Sequence, residues 1–340
     1  MADGHQAGRQ AATIGGVPLN DSAGGSDRRG RLAEKPSAIP YPGLKDVFWR
    51  VIAEIGEDRV TLIAAGVTYY LLLALFPALA ALVSIYGFVA DPGAIGAQVT
   101  LLSDVVPTGS LDIILDQLKT LATQKTSTLS IGFVFGLVVA LWSAHNGMRA
   151  LFDAMNIAYG EAEKRGFLKM TGLGFLFTLG ALGVAVVVIS AIGILPAVLS
   201  FLWLDRWVEL LARFARWPLM LAIVCFATMM LYRYGPSRET AQLRWLTWGA
   251  AFTSIAWLGA SLGFSYYIEN FANYNATYGT LGALIGFMVW TWMSVIILIV
   301  GAEINAELEH QTTVDSTTGH PMPMGERGAY VADTIGDPAA

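Results

Sequence analysis

Six stretches of this chain are long and apolar enough to cross a lipid bilayer, and few folds are open to such a chain. They run over about 60–90, 130–157, 171–203, 217–234, 245–268 and 279–308. A helix needs about 20 apolar residues to cross the hydrocarbon core, and each of these stretches qualifies. The fold class is therefore an all-α integral membrane protein, a bundle of six transmembrane helices. Only 14% of the residues are charged, where a soluble protein carries about a quarter. The formal net charge of −5 offers no basic surface, so no nucleic-acid partner is expected. The single cysteine, Cys225, lies in an apolar run and leaves no intrachain disulfide.

Outside the spans the character changes. Residues 1–43 are rich in Gly, Ala, Ser, Asp and Arg, and lack the apolar run of a cleaved secretory signal. They read as a disordered tail, as do residues 311–340, which leaves 44–310 as the membrane domain. Lys and Arg fall 16 on one side of the six spans and 5 on the other. Positive charge stays inside, so both termini are expected in the cytoplasm. On the outer side, Leu111, Ile114, Leu115, Leu118 and Leu121 share one helical face between Asp112, Asp116 and Lys119. That spacing predicts an extracytoplasmic amphipathic helix over 110–122. The outer segment Asn270 to Tyr278 has no Lys or Arg, and reads as a polar turn with belt aromatics or as a gate.

Local breakers refine the spans. Pro77 predicts a kink in the first, Pro218 sits near the start of the fourth, and Gly235-Pro236 stops it. The pairs Gly132/Gly136, Gly259/Gly263 and Gly282/Gly286 are expected at close helix contacts, and leave the oligomeric state open.

The polar residues inside the spans carry the functional signal. His145, Arg149, Asp153 and Asn156 lie at offsets of about 0°, 40°, 80° and 20° on one helix, a single narrow arc. Glu303 and Glu307 share a face of the sixth span, with His310 beyond them, and Glu57, Asp58 and Arg59 stand at the mouth of the first. Orientation brings these charges to the same cytoplasmic depth. Tyr69 and Tyr70 are candidates to line the same space. Charged groups in a bilayer mark pathways, binding sites or pairing networks. One reading is a polar cavity open to the cytoplasm, in which Arg149 meets an anionic group such as a phosphate and Glu303 or Asp153 pairs with it. The other is an Arg149–Asp153 pair with the glutamates solvated at a helix end. Enzyme signatures are missing: there is no H-E-x-x-H and no Walker loop, and His5, His145, His310 and His320 cannot form a spaced metal cluster. The sequence implies no enzyme activity, no cofactor and no metal.

Three stretches together resemble the YihY/virulence factor BrkB family of bacterial inner-membrane proteins. They are DRVTLIAAGVTYYLLLALFPALAALVSIYG (58–87), ALWSAHNGMRALFDAMNIAYGEAEKRGFLK (140–169) and YNATYGTLGALIGFMVWTWMSVIILIVGAEINAELE (274–309). The resemblance covers about 44–310 and implies a six-helix bundle in the inner membrane with cytoplasmic termini. An old label, ribonuclease BN, also comes with it. The residues argue against that activity, with no metal cluster, no basic surface and little mass outside the bilayer. Links of family members to envelope lipid or lipopolysaccharide export imply a transporter or flippase-like protein for an anionic, lipidic substrate. A structural scaffold without transport is the alternative. The resemblance supplies no catalytic residues. The expected partners are membrane lipids and an anionic lipid substrate.

Overall fold

The computed structural model describes residues 13–14, 17–18, 27–89, 129–201, 206–270 and 281–338. The expected helix over 110–122 and the outer segment beyond Asn270 lie outside these residues. The fold is helical. A two-residue antiparallel ladder, β1 (Thr13–Ile14) with β2 (Val17–Pro18), and one bridge between Ala241 and Thr317 are the extended pairings among the described residues. The helices are α1 (Tyr41–Glu57), α2 (Val60–Val89), α3 (Leu129–Ala158), α4 (Phe167–Phe201), α5 (Arg206–Tyr234), α6 (Leu243–Asn270), α7 (Gly282–Glu309) and the short α8 (Tyr330–Asp333).

The six long helices, α2 to α7, match the six apolar stretches. Each packs on the next in sequence, and α7 closes the ring against α2 while also touching α3 and α1. By length and apolarity, the described parts of two helices qualify alone as membrane spans, Phe167–Val187 and Leu284–Glu309. The bent pair α1–α2, Tyr41–Glu57 with Val60–Leu75, makes a third if it is one broken span. The described part of α5, Pro218–Tyr234, is apolar but shorter. Pro218 falls inside α5, which starts at Arg206, rather than at its first turn. Among the described residues, the sharp bend of the first span comes at its entrance. The chain turns by 60° between α1 and α2, through Asp58 and Arg59, and Arg59 has a φ of 51°. α2 itself continues through Pro77.

The core is one apolar seam along α2, α3, α6 and α7. It contains Val60, Ala64 and Val67, then Phe152, Met155 and Tyr159, Leu246 and Ala250, and Ile299, Ala302 and Ala306. The small residues let the helices approach. The closest crossing, of α6 on α7, lies at Gly249 and Gly301, where a Cβ on Gly249 would strike the Gly301 carbonyl oxygen. The expected pair Gly259 and Gly263 faces open space instead. Gly286 fares better, within ordinary contact of Ile268.

The described parts of the two tails are ordered, where featureless segments are expected: residues 27–57 and 310–338 fold over one end of the bundle. α1 lays Val47 and Val51 on Trp245 and Leu308, and turns Tyr41, Phe48, Trp49 and Ile52 outward. Residues 311–338 bury mostly polar groups, among them Gln311, Thr312, Ser316, Thr317 and Arg327. The Arg327 guanidinium donates to the carbonyls of Met322, Ala332 and Thr313. Composition conceals this order because hydrogen bonds to backbone, more than apolar side chains, hold the segment.

Candidate functional site

The helical arc on α3 divides on folding. His145 and Asn156 point inward, whereas Arg149 and Asp153 are exposed. A difference of about 20° to 80° in helical phase decides which side of the buried boundary each residue meets. The His145 ring stacks on Phe175 of α4, with centroids 4.4 Å apart and planes at 12°. It lies directly over Gly174, where a Cβ would come within 2.6 Å of Nδ1. That Nδ1 is buried without a hydrogen-bond partner.

Asn156 is a framework residue. Its Oδ1 accepts the Ser237 N–H at 2.6 Å and its Nδ2 donates to Glu163 at 3.1 Å. The α3 C-terminus makes this possible. Gly160, at φ 62°, reverses the chain so that the Glu161 N–H donates to the Asn156 carbonyl. In the loop that follows, Arg165 grips Glu163 and donates to the carbonyls of Tyr234 and Gly235. The Arg165 guanidinium holds the Glu163 carboxyl well below its ordinary range, at about 2.

Arg149 and Asp153 stand on the open flank of α3, with Trp142 beside them in helical phase. Asp153 feels the Arg149 and Arg165 charges. Tyr69 and Tyr70 are exposed on α2, their rings edge to face at 5.6 Å. A Cβ on Gly147 of α3 would meet Leu71 of α2, so on these antiparallel helices Tyr69 and Arg149 stand at about the same level. Arg149 is nine residues from the last residue of α3, about 14 Å along the axis.

Glu303 and Glu307 are buried in α7, not solvated at its end. Arg50 of α1 pairs with Glu307 through Nε, and donates through Nη2 to the Glu307 carbonyl at 3.2 Å and to Gln311 at 2.9 Å. The His310 ring stands 3.4 Å from Glu307 and 3.0 Å from the Thr334 hydroxyl. Glu303 instead faces a second acid, Asp58, at the α1–α2 break. The structure brings Asp58 and Glu303 together. Arg149, Asp153 and Tyr69 are left on the outer flank, apart from this cluster.

One strong pair escaped the sequence reading. Arg238, in the α5–α6 turn, and Glu309, at the end of α7, are both fully buried and joined through two oxygens, the shorter contact 2.6 Å. Ser316 donates to the same carboxylate, and the guanidinium lies 5.0 Å over the Tyr159 ring. Arg238 sits in a turn that hydropathy treats as solvent-facing, and nothing local marks its burial. Among the described residues, no group of three His, Cys, Asp or Glu side chains is arranged to hold a metal.

The profile of the family described as Virulence factor BrkB matches residues 51–324, most of the chain and all six long helices. This protein belongs to the BrkB family. It is 31% identical over 278 residues to the ribonuclease-like protein YfkH of Bacillus subtilis, covering 78% of this chain and 94% of that one. It is 26% identical over 272 residues to a UPF0761 membrane protein of Vibrio campbellii, covering 78% and 83%. No solved structure matches significantly. The chain is thus a membrane protein of the BrkB family with long apolar helices.

Proposed function

We propose that this BrkB-family chain is a six-span protein of the bacterial inner membrane with both termini cytoplasmic, and that it moves or flips an anionic, lipidic envelope substrate. The observation that carries the reading is the exposed Arg149 on the flank of a long, largely apolar helix, about 14 Å from its end. A guanidinium facing hydrocarbon alone is costly, and a phosphate headgroup offers it a bidentate partner. On this reading the headgroup slides along the α3 flank past Arg149, Asp153 and Tyr69 while its acyl chains stay in lipid. The outward Tyr41, Phe48, Trp49 and Ile52 of α1 suit a helix lying in the inner leaflet interface. The chain has no Walker loop, so transport here runs on an ion gradient, a partner or a downhill substrate.

Native mass spectrometry of detergent-purified protein tests this. Wild type should retain an anionic or phosphate-bearing lipid that Arg149→Ala loses, and proteoliposome flux should fall with it. Equal lipid profiles and unchanged flux would overturn the reading.

The internal pairing of Glu307, Arg238 and Glu309 favours a second reading, a scaffold whose charges assemble helices. A scaffold predicts that Arg149→Ala lowers thermal stability with no change in bound lipid. The ribonuclease-like name of the Bacillus relative carries a third reading. Chelator-sensitive RNA cleavage by highly purified protein would be needed to sustain it.

A further inference from the structure

The Asp58–Glu303 contact has a chemistry that the substrate reading does not use. Glu303 is 1% exposed, and its Oε1 is buried with no hydrogen-bond donor. The group beside it is another carboxyl, Asp58, close enough for a side-chain hydrogen bond. Two ionised carboxylates only accept, so as ions they offer each other nothing. A proton on either one turns the contact into a hydrogen bond.

Among the described residues no cation forms an ion pair with either carboxyl, and Arg59, next to Asp58 at the break, is exposed. Arg50 is spent on Glu307, Gln311 and the Asp337 carbonyl, and His310 on Glu307 and Thr334. The remaining charges acting on the pair from α1 and α7 are acidic, namely Glu54, Glu57 and Glu307. Burial and Glu57 also raise Asp58, which lies outside the spans. The pair sits at the 60° break between α1 and α2.

We propose that Asp58 and Glu303 form a proton-binding site, holding one exchangeable proton between them at neutral pH. The proton reaches the pair from the α1 side, past Glu54 and Glu57. Where the transport reading holds, this is the site through which a proton gradient would act on the α1–α2 hinge. The site itself does not depend on that reading.

Infrared difference spectroscopy of the purified full-length protein tests it without a transport assay. At neutral pH, wild type minus Glu303→Gln should show the carbonyl stretch of a protonated carboxylic acid, and the band should bleach as pH rises. Asp58→Asn should remove or shift the same band. Both amides donate a hydrogen bond as the protonated acid does, so both variants should keep the wild-type thermal midpoint. Dicyclohexylcarbodiimide gives a readout that needs no variant. It adds across the O–H of a protonated, apolar-shielded carboxyl to leave an N-acylurea with no leaving group. Mass spectrometry should find that adduct on Glu303 or Asp58 at neutral pH. An identical carboxyl band in wild type and Glu303→Gln, or no adduct on either residue, overturns the proposal. Unchanged flux in Arg149→Ala would leave this result standing, so the two readings fail separately.

Discussion

At Gly174 the fold leaves room for a hydrogen atom and little more, because the His145 ring already fills the space. Gly174→Ala should therefore force the stack with Phe175 apart and cost about 1–3 kcal/mol, as overpacking does. Gly180→Ala, on the same helix with nothing within 4 Å, should leave stability unchanged or slightly raised. Denaturant unfolding of both variants in detergent checks the contrast, and equal losses would mean that the ring contact is irrelevant. Arg238 and Glu309 make the opposite case, two side chains that need each other. Arg238→Met leaves a fully buried carboxylate with only Ser316 to answer it and should cost about 3–5 kcal/mol. Adding Glu309→Leu should recover most of that loss. A double variant no better than the single one would place the cost in packing over Tyr159 instead.

The loop between α3 and α4 shows how one element reads pH. Glu163 is held at about 2 by Arg165, against an unfolded value near 4.5. A depressed carboxyl contributes its stability above the unfolded value and loses it as pH falls through the folded one. Hydrogen exchange at residues 161–166 should accelerate as pH drops from about 4.5 toward about 2, beyond the intrinsic trend. Glu163→Gln should abolish that window by opening the loop at all pH values. The six long helices were legible because hydropathy over 20 residues is a strong physical signal, and their ends fell within a few residues of those expected except at the start of α5, which begins eleven residues earlier at Arg206. α1 was not legible. It inverts the pattern of a soluble surface helix, carrying Asp46 and Arg50 inward and Phe48 and Trp49 outward. The arc of His145, Arg149, Asp153 and Asn156 was legible as an arc, but which members face inward depends on where α4 packs. That is set by Gly174, a residue with no functional signature of its own.

On the scale of the whole molecule, the ring of helices is tied at one end by segments that are distant in sequence. Arg31 donates to the carbonyls of Gln311 and Gly336, and Gln311 donates back to the Arg29 carbonyl. Arg50 bridges α7 to Asp337, and Glu161 accepts from the Tyr330 N–H. Apart from the Glu161 bond, which ties in the α3–α4 loop, these bonds join residues 29–50 to 307–337, with α7 as the strut between them. A chain that stops after Gln311 therefore loses more than a tail. Ser316 no longer reaches Glu309, the Asp337 carbonyl no longer caps Arg50, and Trp245 and Leu308 lose shelter as residues 29–40 come loose. The truncated protein should melt several degrees lower in detergent, and limited proteolysis should cut first in residues 27–40, far from the new terminus. Arg327→Ala is the milder form. It leaves the carbonyls of Thr313, Met322 and Ala332 without their donor, and should lower the midpoint in the same direction by a smaller step. An unchanged midpoint in the truncated chain would show that the closed ring from α2 to α7 stands without its terminal clasp.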